Sequence, residues 1–194
     1  MSPKLRQEVL SFRKRGGLPW HSPPHRNSDR TDAYLFTAAC FNHVPIVGHS
    51  VQRLESFERS LLETARQSCR ELIAWVVLPN HYHFLARTPD CKTTLSALGQ
   101  LHGRTSYRWN GEENWRGRKV WFNATETAMK SDRHFWGTVN YIHHNPVKHG
   151  YVESWLEWPF SSAASFLERW GREEAAEIWR EYPVDEYGAG WDEL

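Results

Sequence analysis

Leu72-Ile73-Ala74-Trp75-Val76-Val77-Leu78 is an apolar run of strand length, and Pro79-Asn80 follows it directly. A second strand-like run, His81 to Thr88, starts at the next residue. A continuous apolar stretch bounded by a turn signal reads as a strand central to a sheet. Two residues between such runs leave room only for a tight turn, which makes the pair an antiparallel hairpin. The remaining elements have to pack around it.

Upstream, Ala33 to Phe41 is a strand-like run of aromatic and small apolar residues, and Asn42 to Gly48 is a loop holding Pro45. Over residues 50–69, Val51, Leu54, Phe57, Leu61, Leu62 and Ala65 recur at helical spacing with charges between them. Downstream, residues 92–110 read as a helix with Leu95, Leu98, Leu101 and Tyr107 as buried positions. Glu112 to Lys119 is a polar, basic loop, and Val120 to Thr125 is a fourth strand. Ser131 offers an N-cap, with Asp132 in the first turn, for a helix predicted to stop near Pro146. The order is strand, helix, strand, strand, helix, strand, helix. It predicts an α+β fold: a ferredoxin-like βαββαβ antiparallel sheet with helices on one face. Helical stretches near 161–170 and 173–182 add a C-terminal helical extension. Three segments follow: a basic Pro/Gly-containing arm over 1–30, a main folded domain over 31–150, and an acidic, partly helical extension over 151–194 packing on the domain.

The formal net charge is +1, but it is unevenly spread. Residues 1–30 carry net +5, residues 31–150 net +4 and residues 151–194 net −8. A basic body suits a phosphate-bearing partner, and the acidic end, with Asp185, Glu186, Asp192 and Glu193, is expected to compete with it. The 11 Trp supply a core and also parts for stacking on unpaired bases. No apolar run approaches the ~20 residues that span a bilayer. The N-terminus has no signal-peptide apolar region, and Cys40, Cys69 and Cys91 form no CxxC pair. The expectation is a cytoplasmic protein with reduced thiols and no membrane contact.

Two local patterns carry possible chemistry. In His81-Tyr82-His83 the imidazoles are two apart on a strand, so they project from one face while Tyr82 turns to the other. Two convergent imidazoles can ligate a divalent metal; a pair of polar strand residues facing solvent has the same spacing. Tyr141 and Asn145 lie four apart on a helix and share a face. An amide oxygen there could be a third, hard ligand, but Asn145 also reads as a helix stop before Pro146, and Tyr141 as packing.

The longer context goes further. Ala74-Trp75-Val76-Val77-Leu78-Pro79-Asn80-His81-Tyr82-His83, then Tyr141-Ile142 through Asn145-Pro146-Val147-Lys148-His149-Gly150, then Glu157-Trp158-Pro159-Phe160-Ser161-Ser162 match in order and spacing the motifs of one family. The chain resembles the REP-associated tyrosine transposases, a branch of the HUH single-tyrosine transposases of bacterial insertion sequences. The resemblance covers roughly residues 33–165. It departs from the family pattern in the arm before the first strand and in Tyr82, where a plain hydrophobe is common.

The resemblance implies metal-dependent cleavage and rejoining of single-stranded DNA at hairpin sequences. Tyr141 would be the nucleophile, giving a 5′-phosphotyrosine link and a free 3′-hydroxyl. That link conserves the bond's energy, so no nucleotide cofactor is needed. His81 and His83 would hold Mg²⁺ or Mn²⁺, with Asn145 at the third-ligand position. The implied partner is a single-stranded DNA hairpin, bound by a monomer rather than a dimer. Phosphate contacts are expected from Arg104, Arg108, Arg116, Arg118, Lys119 and Lys148. Tyr107 could stack on a base or pack inside, Tyr151 reads as packing, and His102, His134, His143, His144 and His149 read as surface or supporting residues. The competing reading is a non-catalytic single-strand nucleic-acid binder on the same fold, which would need neither the histidines nor Tyr141.

Overall fold

Strand β1 (Ala33–Ala39) opens the domain, helix α1 (Val51–Ser68) follows, and strands β2 (Glu71–Val77) and β3 (His81–Arg87) form the hairpin. Helix α2 (Cys91–Glu112) leads to strand β4 (Thr125–Ala128), and helices α3 (Asp132–Lys148), α4 (Ala163–Trp170) and α5 (Arg172–Glu181) complete the chain. This is a computed structural model, and it describes residues 32–184. The basic arm and the acidic residues Asp185, Glu186, Asp192 and Glu193 lie outside the described residues. The sheet order is β2-β3-β1-β4, with every neighbouring pair antiparallel. That is the order a βαββαβ chain adopts when its two outer strands flank its two inner ones, as the sequence predicts.

Strand alternation divides the core in two. On one face Tyr34, Phe36, Ala38, Tyr82, Phe84 and Ala86 meet Leu54, Phe57 and Leu61 of α1 and Leu98, Leu101 and Trp109 of α2. The opposite face presents Ala33, Leu35, Ala74, Val76 and Leu85 to Val139, Tyr141 and Ile142 of α3, with Phe166 of α4 and Ala175 of α5. The two crossover helices therefore share one face, and the remaining helices close the other. Residues 160–162 also run along β2, where Val77 N–H donates to the Phe160 carbonyl (2.9 Å) and Ser162 N–H to the Trp75 carbonyl (3.0 Å). Each major helix starts on a polar cap: Ser50 accepts from Arg53 N–H, Asp90 from Lys92 N–H and Ser131 from His134 N–H.

Three expectations need correction. The fourth strand is Thr125–Ala128 rather than 120–125. Trp121 makes only an isolated bridge to Cys40, and its indole stacks on His102 (4.5 Å) and donates to Thr105 Oγ1 (3.0 Å). That apolar run feeds the core from a loop, and the polar Thr-Glu-Thr segment takes the edge, where charge discourages foreign pairing. Helix α3 passes Pro146 and ends at Lys148. Pro146 lies in the last turn, its ring fits helical φ, and His149 N–H still donates to the Asn145 carbonyl (3.1 Å). Tyr107, open to packing inside or to stacking on a base, does not pack inside and is 75% exposed. No helix among the described residues is long and apolar enough to cross a membrane.

Candidate active site

β3 begins directly after the Pro79-Asn80 turn and pairs with β1 so that His81 lies opposite Ala39 and His83 opposite Thr37. Alternation then sends Tyr82 into the α1/α2 core, where it is fully buried and its hydroxyl lies 3.0 Å from His102 Nε2. Burial pushes the Tyr82 phenol far up, so it is no rival nucleophile. The two imidazoles project from the other face with ring centroids 5.0 Å apart. Helix α3 crosses that face and brings three residues of one stripe to them. Tyr141 Oη lies 3.5 Å from His83 Nε2, and Asn145 Oδ1 lies 3.0 Å from His81 Nε2. Lys148 Nζ sits 5.2 Å from the Tyr141 ring centroid. Spacings of four and three residues place all three on one helical face.

The far side of each imidazole is held by the sheet. His83 Nδ1 lies 2.8 Å from Thr37 Oγ1, its cross-strand partner. His81 Nδ1 lies 2.8 Å from Asn80 Oδ1, and Asn80 Nδ2 donates to the His43 carbonyl (3.2 Å). That second bond fixes which end of the Asn80 amide is oxygen, so His81 carries its proton on Nδ1. Its Nε2 lone pair then points at Asn145 Oδ1, an acceptor facing an acceptor, while Asn145 Nδ2 is buried without a partner. A divalent cation held there would take both the lone pair and Oδ1; without one, the amide reversed end for end would donate to Nε2. The donor set of two imidazoles and one amide oxygen fits Mn²⁺ and tolerates Mg²⁺. Among the described residues no three His, Cys, Asp or Glu side chains cluster to hold a metal, and the amide oxygen beside His81 is that of Asn145.

His81, His83, Tyr141 and Asn145 are all at least 95% buried. Lys148 and His149 are exposed, and the His149 ring lies 4.9 Å from that of His81. These two form the exposed rim of the site. The other cations are dispersed. Arg104 and Arg108 are exposed on α2, across the sheet from Tyr141, beside Ser60, Glu63 and Gln67 of α1. Lys119 lies 4.5 Å above the Phe41 ring, at the sheet end where Cys40 N–H donates to the Asn80 carbonyl. Arg116 is exposed over Tyr107. Arg118 is largely buried on Glu113 (2.8 Å) and Asn110 (3.0 Å), where it braces the loop. Two neighbours of the site went unread in the sequence: Asn80 reads there only as a turn residue, and Thr37 is found only through the strand register. His149, read as a surface or supporting residue, is exposed beside His81.

Comparison with known proteins supplies the relatives of this arrangement. No family model matches the chain. A REP-associated tyrosine transposase of Escherichia coli is 29% identical over 108 residues, covering 56% of this chain and 63% of that protein. The chain is similar to this REP-associated tyrosine transposase. A Haemophilus influenzae protein assigned to the same transposases is 29% identical over 141 residues, covering 61% of this chain and 76% of that protein. The chain thus spans under two thirds of the Escherichia coli protein's length. A solved structure of a REP-associated tyrosine transposase bound to a REP hairpin superposes with a TM-score of 0.59. It shares 22% identity and covers 76% of this chain and 86% of that one, which shows a common fold.

Proposed function

We propose that the protein is a tyrosine transposase that cleaves and rejoins single-stranded DNA at hairpin sequences, acting as a monomer with a divalent cation. The convergence of Tyr141 and Asn145 from α3 on His81 and His83 from β3 carries this reading. In the proposed reaction the Tyr141 oxygen attacks a phosphodiester. A bond forms between that oxygen and phosphorus as the phenol gives up its proton, the bond from phosphorus to the 3′ oxygen breaks, and the departing oxygen takes a proton in its place. The products are a 5′-phosphotyrosine and a free 3′-hydroxyl, and attack by a second 3′-hydroxyl reverses the step and joins new strands. The Lys148 ammonium beside the ring stabilises negative charge on Tyr141 and on the incoming phosphate. His81, His83 and Asn145 would hold Mg²⁺ or Mn²⁺, which draws charge from the scissile phosphate and stabilises the leaving oxygen. Because Tyr141 is only 2% exposed, substrate entry has to displace the rim at Lys148 and His149.

The test is a labelled DNA hairpin with Mn²⁺ and the full chain. The expected result is a covalent adduct that survives denaturant, absent in Tyr141→Phe while hairpin binding persists. An undiminished adduct in that variant refutes the assignment of the nucleophile. Hairpin binding with no adduct from the native chain would favour the non-catalytic binder.

A further inference from the structure

Tyr107 and Trp115 are the most exposed aromatic residues among the described residues, at 75% and 62%. Neither contributes to a core, and each carries an arginine. The Arg116 guanidinium lies 4.5 Å over the Tyr107 ring, and that of Arg118 lies 5.0 Å over Trp115. Both cations are fixed. Arg116 Nη1 donates to the Tyr107 carbonyl (2.6 Å), and Arg118 donates to Asn110 (3.0 Å) and Glu113 (2.8 Å). The loop between them is pinned to α2 as well. Trp115 N–H donates to the Asn110 carbonyl (2.8 Å), and Asn110 Nδ2 donates to the Arg118 carbonyl (2.7 Å). The Arg116 guanidinium lies close over Gly111, in space that a Cβ there would share with it. Asn114, at φ 51°, makes the tight reversal, a conformation that a short polar side chain tolerates.

Such an arrangement has a preorganised use. A flat ring with a guanidinium on one side and solvent on the other offers a stacking surface to a second flat group. Cations predominate around it: Arg104, Arg108, Arg116 and Arg118 share this layer with Glu63, Glu112 and Glu113, and Arg53, Arg108 and Arg118 already engage the last two carboxylates. Flat groups strung on a negative chain are unpaired bases. We propose that Tyr107 and Trp115, each backed by its arginine, form a stacking platform for unpaired bases of single-stranded DNA. The platform lies on the α2 layer, across the sheet from Tyr141, and so is separate from the cleavage site. It rests on the DNA-processing reading above and specifies where that DNA's unpaired bases are held.

Fluorescence anisotropy on the full chain tests this with a short labelled single strand and an abasic strand of the same length. Tyr107→Ala and Trp115→Ala should each weaken single-strand binding about 5- to 150-fold, the span measured for loss of one base–aromatic stack. The abasic strand should bind all proteins alike, and Tyr107→Phe and Trp115→Phe should retain native affinity. Unchanged single-strand affinity in the alanine variants overturns the platform. So does equal loss on the abasic strand, or phenylalanine variants as weak as the alanine ones. A native chain that prefers the intact strand no more than the abasic one overturns it too. None of these results touches the Tyr141 adduct, so the platform can fail while the cleavage reading stands.

Discussion

Asn80→Ala removes a residue that touches neither phosphate nor nucleophile, yet it should cripple metal binding. Asn80 Oδ1 accepts from His81 Nδ1 at 2.8 Å, and Asn80 Nδ2 is tied to the His43 carbonyl at 3.2 Å. Asn42 and His43 both adopt positive φ (56° and 54°), so that carbonyl is presented by a strained turn. Without the Asn80 oxygen the imidazole loses its reason to keep the proton on Nδ1. The other tautomer then competes, because its Nε2–H can donate to Asn145 Oδ1 at 3.0 Å, and its lone pair lies on Nδ1, turned away from Asn145. One such bond is worth about 1 kcal/mol net. Loss of a supporting partner costs roughly 10- to 100-fold in metal affinity, or about 1.4–2.8 kcal/mol. Calorimetric titration with Mn²⁺ should show that weakening. Long-range ¹H–¹⁵N spectra of the metal-free protein should show His81 protonated on Nδ1 in the native chain and on Nε2 in the variant. Asn80→Asp keeps an acceptor and should restore the Nδ1–H form. Native Mn²⁺ affinity in a folded Asn80→Ala protein, or an Nε2-protonated His81 in the native chain, refutes the reasoning.

Replacing both His81 and His83 by Ala should abolish Mn²⁺ binding and adduct formation; calorimetry and denaturing gels would check it, and full activity in the presence of a chelator would count against the site. Phe57, fully buried against Tyr82, Trp109 and Trp121, should cost about 3–5 kcal/mol on truncation to Ala, read as a lower urea midpoint. Burial pushes His102 down to about 4, so it stays neutral in the fold while the unfolded chain takes up protons below about 6.5. Stability from this group is full above that pH and is lost as pH falls towards 4, by up to about 3 kcal/mol. Denaturation at stepped pH should show this slope, and His102→Gln should flatten it.

What could be read from the sequence was what depends on local period. The hairpin follows from two strand-length runs around Pro79-Asn80, and the period of two puts His81 and His83 on one face. The helical repeat likewise puts Tyr141 and Asn145 on one stripe. Where pattern reading failed, a tertiary contact decided. Val120-Trp121 has strand composition, but Trp121 finds His102 and Thr105 on α2 and stays in a loop. Thr37 supports His83 from 46 residues away, a pairing that only the β1–β3 register creates. Arg118 looks like any solvated cation until Glu113 and Asn110 are seen to hold it.

The spacing of the histidines also sets how firmly the site is held. A strand that presents His81 and His83 to one face must present the intervening residue to the other. Tyr82 uses that position to enter the core of α1 and α2, stacked 6.2 Å from Phe84 and bonded to His102. A side chain of that size adds roughly 1.5–3 kcal/mol by burial alone. Thus the residue between the two imidazoles anchors their strand on the face away from the chemistry, while Thr37 and Asn80 fix their rings from the sheet. The β3 half of the site is preformed. The α3 half, with Tyr141 buried behind Lys148, is the part that would have to yield for the proposed substrate to enter.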